Sequence, residues 1–344
     1  MHQALQEAQT DHPNDLRSRL GEIRINIDTN QHMRRIESVL SMRLPSATNL
    51  TDKFLGSHMT LVGSGPSASR SINNIPKGSI ICAVNGAHDW LIARGIIPDI
   101  GLMMDPNPWV AGYQTPRKDV TYIIGTTCHP KVWKRFIDAG VAPHFAVPIL
   151  HDGDHERILD AFPNADFNFI TGGVTTGLRG VPTLSGLGAA MIDMHGFDSC
   201  YEPMGESLYA HFKPATHHDA REITVQSRRT GHKLICRTNG AMARQIIGFQ
   251  ALLASLDEFA VNADAAGFKD GAYPARDADI RLRVFGDGAI PWMAFKDGGP
   301  GYRFIHADPG FMEDKYGDFE TFNYATGCPS ITIGQLNSCL TPLN

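Results

Sequence analysis

From residue 57 onward the chain repeats one pattern: a short apolar run, a few small or polar residues, then a segment with apolar residues at helical spacing. Such alternation predicts βα units and a mainly parallel sheet with helices on both faces, since strands buried on both sides read as continuous apolar runs. The first run, His58 to Val62, ends in Gly63-Ser64-Gly65-Pro66-Ser67, and the second, Ser79 to Val84, ends at Asn85 before a helix reaching Arg94. A third, Ile100 to Met104, stops at Asp105-Pro106. A fourth, Val120 to Ile124, runs into Gly125-Thr126-Thr127, after which Pro130 suits the first turn of a helix extending to Ala139. Phe145 to Leu150 reads as a fifth strand. The cluster Thr171 to Gly177 precedes an apolar segment, Leu184 to Met194, expected to be a helix, and Tyr201 stands near the start of another strand-like segment.

The flanks differ. Residues 1–56 place Leu16, Leu20, Ile23, Ile36 and Leu40 at helical spacing and read as a helical N-terminal arm for packing or for contact within a homo-oligomer. Residues 57–210 form the expected Rossmann-like domain, and residues 211–275 a continuation with short strands at Ile223 to Val225 and Leu234 to Arg237 and an amphipathic helix from Ala241 to Leu256. Residues 276–344 carry Gly, Pro and aromatic residues without a period and are expected to form an irregular C-terminal extension.

Composition narrows the function classes. The 344 residues are 42% hydrophobic and 19% charged, as in an ordinary globular protein. A net charge of -5 gives no general attraction to nucleic acid or anionic membrane, so phosphate binding must come from local groups. No apolar stretch approaches the roughly 20 residues of a membrane span, and the polar N-terminal residues do not read as a signal peptide, so a cytoplasmic location is expected. The 6 cysteines are scattered without C-x-x-C spacing, which points to reduced thiols rather than a zinc ribbon or disulfide scaffold.

Candidate chemistry gathers where strands end. In the Gly63 to Ser67 turn the glycines permit close backbone approach, so a phosphate can meet backbone N–H groups and the Ser67 hydroxyl at a helix start; an ordinary tight turn explains the same residues. The turn is neither a P-loop nor G-x-G-x-x-G, because Ala68 stands where the third glycine belongs. Asp105, six residues after Asp99, is placed to hold Mg²⁺ beside phosphates, or to cap a turn. Asn85 reads a base or ribose, or caps the next helix. Thr126 and Thr127, together with Gly172, Gly173, Thr175 and Thr176, supply donors suited to phosphate or sugar. Glu206 is a candidate acid or base, and His217 or His218 a proton donor or stabiliser of phosphate charge. The His151 to His155 loop reads as solvated rather than metal-binding.

The order and spacing of the Gly63 to Ser67 turn, Ala83-Val84-Asn85-Gly86-Ala87, Gly95-Ile96-Ile97-Pro98-Asp99, Asp105, Thr171 to Gly177 and Met204-Gly205-Glu206 resemble the MptE-like family over roughly residues 57–210. That family is named for archaeal 6-hydroxymethylpterin diphosphokinase and includes bacterial flagellin-glycosylating motility accessory factors. The resemblance implies a Rossmann-like, nucleotide-dependent transferase with the glycine turn and Asp105 at the ligand edge. Its partners are then a nucleotide and a small-molecule or glycan acceptor, with ATP or a nucleotide sugar as co-substrate and Mg²⁺ as the ion. Bacterial sialyltransferases carry a similar Gly-x-Gly-Pro-Ser turn and bind a cytidine monophosphate sugar, which keeps glycosyl transfer open beside diphosphoryl transfer. A non-catalytic nucleotide-binding or assembly role is the third reading. In the family a later strand often ends in Gly-x-Asp, whereas this chain shows Gly205-Glu206 at the expected strand end.

Overall fold

The computed structural model describes residues 27–201, 221–226, 233–249, 252, 281–286 and 288–294. Its centre is an 8-stranded sheet. In chain order the strands are β1 (Ser57–Val62), β2 (Ile80–Val84), β3 (Ile100–Met103), β4 (Thr121–Gly125), β5 (His144–Pro148), β6 (Phe169–Ile170) and β7 (Ala189–His195). After them, β8 (Arg221–Gln226) and β9 (Lys233–Thr238) form a separate antiparallel pair, and β10 (Arg281–Phe285) returns to the main sheet. The spatial order β10-β7-β1-β2-β3-β4-β5-β6 is parallel throughout. The chain therefore winds outward from β1 to β6, then returns to lay β7 on the other side of β1. In open α/β sheets, ligands bind at the carboxyl edge beside such a reversal of strand order.

Side-chain alternation builds a core on each face. Met59, Leu61, Cys82, Val84, Ile100, Leu102 and Ile123 project to one side, where α6 (Thr176–Gly186) and α7, a helix through residues 240–249, bury Leu178, Val181, Leu184, Ile246 and Phe249. Val62 and Ala83 project to the other, beneath α2 (Ala68–Ser71) and α3 (Ala87–Ile92). Tyr122, Ile124, Phe145 and Val147 also face that side and meet α1 (Thr29–Ser41), α4 (Pro130–Asp138) and α5 (Asp154–Ala161). In α4, Pro130 starts the helix, the His129 ring accepts from the Lys131 N–H at 3.2 Å, and Val132, Trp133 and Phe136 make the buried stripe. The lead-in helix α1 is part of this core: Ile36 and Val39 are fully covered, each worth about 2 kcal/mol of apolar burial.

Two expectations are corrected. The Leu184 to Met194 segment is not one helix: α6 ends at Gly186, Gly188 takes a φ of +99°, and Ala189 to His195 is a central strand. A short apolar run fits a buried strand or a buried helix equally well by periodicity, and here the glycines decide. The C-terminal extension is not wholly irregular, since Arg281 to Phe285 pairs with β7 as an edge strand and α8 (Ala289–Ala294) follows. The strand-like segment expected beyond Tyr201 lies outside the described residues.

Candidate active site at the strand-order reversal

The glycine turn and the end of β7 are locked together. The Gly63 N–H donates to His195 O at 2.7 Å, Gly65 N–H to Gly196 O at 2.8 Å, and Ser67 N–H to Asp198 Oδ2 at 3.0 Å. A Cβ on Gly63 or on Gly65 would lie 2.7 Å from the Gly196 carbonyl oxygen, so glycine is required by backbone approach. Three of the amides expected for phosphate thus serve the contact with β7. Gly63, Ser64 and Gly65 line the adjoining cavity, whereas Pro66 is outside its lining and Ser67 is buried, its hydroxyl without a hydrogen-bond partner among the described residues. The Gly-x-Asp feature sought near residue 205 stands instead at Gly196-Phe197-Asp198, directly after β7.

The cavity occupies about 520 Å³ at the carboxyl edge and draws walls from the ends of β1, β2, β3, β7, α6 and α7. Asn85 enters it with a left-handed φ of +47°, and its buried Oδ1 has no hydrogen-bond partner among the described residues. Asp105, just past β3, accepts from the Asn107 N–H at 2.9 Å and side-chain amide at 2.7 Å, both at Oδ1. Burial outweighs those bonds and raises its carboxyl above the ordinary range. Thr127 also lines the cavity, with its hydroxyl donating to Met104 O at 2.5 Å. Thr126 is outside the lining and pairs with the His32 ring at 3.1 Å. Asp99 lies elsewhere: it accepts from the Ile81 N–H at 2.8 Å, ahead of β3 at the opposite edge.

Two helix starts converge on the same cavity. Thr175 caps α6, its Oγ1 accepting from the Leu178 N–H at 3.3 Å, and Asn239 caps α7 by accepting from the Met242 N–H at 3.0 Å. Gln245 joins them, donating to Thr175 Oγ1 at 3.3 Å while it accepts from Ser199 Oγ at 2.8 Å. Gly173 and Thr176 line the cavity; Gly172 does not. Each helix also brings an arginine, Arg179 and Arg244. Arg179 donates through Nε to Gly173 O at 3.2 Å and through Nη2 to Ile149 O at 2.8 Å. Burial, then the charge of Arg244, lowers its guanidinium to about 10. Sequence reasoning missed both arginines. Their signal in the sequence is limited to a cation four or five residues past a helix cap, Arg179 after Thr175 and Arg244 after Asn239.

Among the described residues no group of three His, Cys, Asp or Glu side chains is arranged to hold a metal. In the His151 to His155 loop, Asp154 binds Arg157 at 3.0 Å and His155 packs on Phe169. Mg²⁺ commonly uses one or two carboxylates plus phosphates and waters, and two carboxylates, Asp105 and Asp198, line the cavity. Glu206, His217 and His218 lie outside the described residues.

Two buried histidines set the acid limit of the fold. Burial lowers His32 and His195 to about 4 from 6.5, and His195 stacks on Phe285 with centroids 4.2 Å apart. The unfolded chain takes up protons first as pH falls through 6.5, so stability drops from there to about pH 4, by about 3 kcal/mol per histidine at the acid end. Asp105, with a raised carboxyl, acts in the opposite direction. Thermal melts between pH 7 and pH 4.5 are expected to show a steadily falling Tm; a flat profile contradicts neutral burial of these rings.

These features define an open, doubly wound α/β protein with a cavity of mixed polar and apolar lining at its strand-order reversal. The sequence profile of the MptE-like family, described as 6-hydroxymethylpterin diphosphokinase MptE-like, matches residues 30–203, and the chain belongs to that family. The match begins within α1, in keeping with that helix's place in the core. A solved structure, described as a MAf glycosyltransferase from Magnetospirillum magneticum AMB-1, is similar with a TM-score of 0.43 and 16% identity. The likeness covers 74% of this chain and 34% of that one, so this chain spans about a third of that protein's length. No curated protein matches the chain in sequence. No helix among the described residues is long and apolar enough to cross a membrane.

Proposed function

We propose that the protein is a nucleotide-dependent transferase that moves a diphosphoryl group from ATP to the hydroxyl of a hydroxymethylpterin-like acceptor. The observation that carries this reading is the cavity at the strand-order reversal, where Asp105 and the Asn85 Oδ1, without a hydrogen-bond partner among the described residues, share one space. In the reaction the acceptor oxygen bonds to the β-phosphorus, the bond from that phosphorus to the α–β bridging oxygen breaks, AMP leaves, and the hydroxyl proton passes to water. Catalysis is then positioning plus stabilisation of phosphate charge.

Asp105 keeps Oδ2 free of hydrogen bonds from the described residues. Its carboxylate is disfavoured by burial, a cost that a neighbouring cation relieves. Mg²⁺ held there would supply neutralisation of phosphate charge. Tyr113, hydrogen-bonded to Trp109, lines the cavity and offers a flat surface for a planar acceptor.

The test is phosphorus NMR on the protein with ATP, Mg²⁺ and 6-hydroxymethyl-dihydropterin. AMP and a diphosphorylated pterin are expected, with turnover falling about 100-fold in Asp105→Asn. Release of CMP from a CMP-sugar in place of AMP formation favours glycosyl transfer. Unchanged turnover in Asp105→Asn contradicts the role given to that carboxylate.

A further inference from the structure

Two arginines, Arg179 and Arg244, line the cavity together with the carboxylates of Asp105 and Asp198. The α6 start carries no acidic residue in its first turn, so its partial positive charge is not offset there. The first turn of α7 lines the same cavity at Ala241 and Met242, and Gln245, in its second turn, bridges to Thr175. Arg179 stands four residues beyond the α6 cap, where a cation works against the dipole, and Arg244 stands near enough to depress Arg179 further. Gly173 and Ile149 carbonyls hold Nε and Nη2 of Arg179, while Nη1 has no hydrogen-bond partner among the described residues. The charge of Arg244 and the burial of Arg179 both disfavour the Arg179 guanidinium. A multiply charged anion reverses the sign of all these interactions at once.

We propose that Arg179, Arg244 and the adjoining starts of α6 and α7 form the subsite for the diphosphate portion of the donor, and that the glycine turn acts as a clasp against β7. The assignment rests on reading the cavity as a nucleotide site. It places recognition of phosphate charge on side chains and helix starts, with the Gly63 and Gly65 amides already committed to His195 and Gly196. Asn85, at the end of β2, then faces the remainder of the nucleotide.

Inorganic pyrophosphate tests the subsite without the nucleoside. Calorimetric titration at low salt is expected to show binding to the wild-type protein, weakened about 10- to 100-fold in both Arg179→Met and Arg244→Gln, and unchanged in Lys131→Ala on the exposed side of α4. Because Arg179→Met also removes two bonds to loop carbonyls, thermal melts accompany each variant, and Arg244→Gln gives an independent reading. Pyrophosphate binding equal in the wild type and both folded variants overturns the subsite, as does no pyrophosphate binding at all. Nucleotide binding that survives in both arginine variants but is lost in Asp105→Asn leaves the transferase reading standing while the subsite falls. Arginine-dependent pyrophosphate binding with no response to any nucleotide supports the subsite and removes the nucleotide reading.

Discussion

Gly65→Ala is expected to destabilise the protein by about 3 kcal/mol, the upper end of overpacking costs, and to lower the urea midpoint accordingly. The new methyl would press on the Asp198 carboxylate and sit 2.7 Å from the Gly196 carbonyl oxygen. Both belong to the segment leaving β7, and both are held by amides of the turn that would have to shift. The loss falls on folding first and on ligand binding as a consequence. Gly186→Ala serves as the comparison: a Cβ there meets nothing within 4 Å, and its helical setting makes the change neutral or stabilising. Equal midpoints for the two variants contradict the clasp.

Arg283→Met is expected to cost about 3 to 5 kcal/mol by leaving a buried carboxylate without its main partner. Asp193, on β7, has no exposed side-chain surface; Arg283 on β10 binds both of its carboxylate oxygens, and the His58 ring on β1 reaches one of them at 2.7 Å. Burial pushes the Asp193 carboxyl up, but the bonds from His58 and Arg283 outweigh it and hold it below the ordinary range. One carboxylate therefore ties three neighbouring strands. Asp193→Asn combined with Arg283→Met is expected to recover part of the loss, because no buried charge then remains unpaired. A double variant less stable than the sum of the singles contradicts this account. The wider consequence is that the edge strand formed by residues 281–285 is fixed to the sheet by charge as well as by backbone pairing.

Apart from the two-residue β6 (Phe169–Ile170), which went unread, the outward-wound strands were readable from the chain because they are short apolar runs closed by turn residues: Val62 by Gly63, Val84 by Asn85, Met104 by Asp105 and Ile124 by Gly125. The return strand was not, because Leu184 to Met194 is apolar throughout, and that pattern carries no period separating a buried strand from a buried helix. Missing β7 hid the Gly196-Phe197-Asp198 strand end and sent the search for Gly-x-Asp to Gly205. β10 escaped because Arg283 looks wrong for a sheet until Asp193 is known to face it. Of the candidate site, Gly63, Gly65, Asn85, Asp105, Thr127 and Thr175 do meet in one cavity. Ser67, Thr126 and Gly172 are turned to packing or lie outside its lining. The arginines could not be placed from sequence, since 65 residues separate Arg179 from Arg244 and only the fold brings their helices together.

The most direct test of a nucleotide site at the strand-order reversal is calorimetric titration with ATP, GTP, CTP, CMP and a CMP-sugar, each with and without Mg²⁺. The account predicts Mg²⁺-dependent binding of ATP that is lost in Asp105→Asn while the variant's melting temperature is retained. Binding of none of these nucleotides to the folded wild-type protein contradicts it.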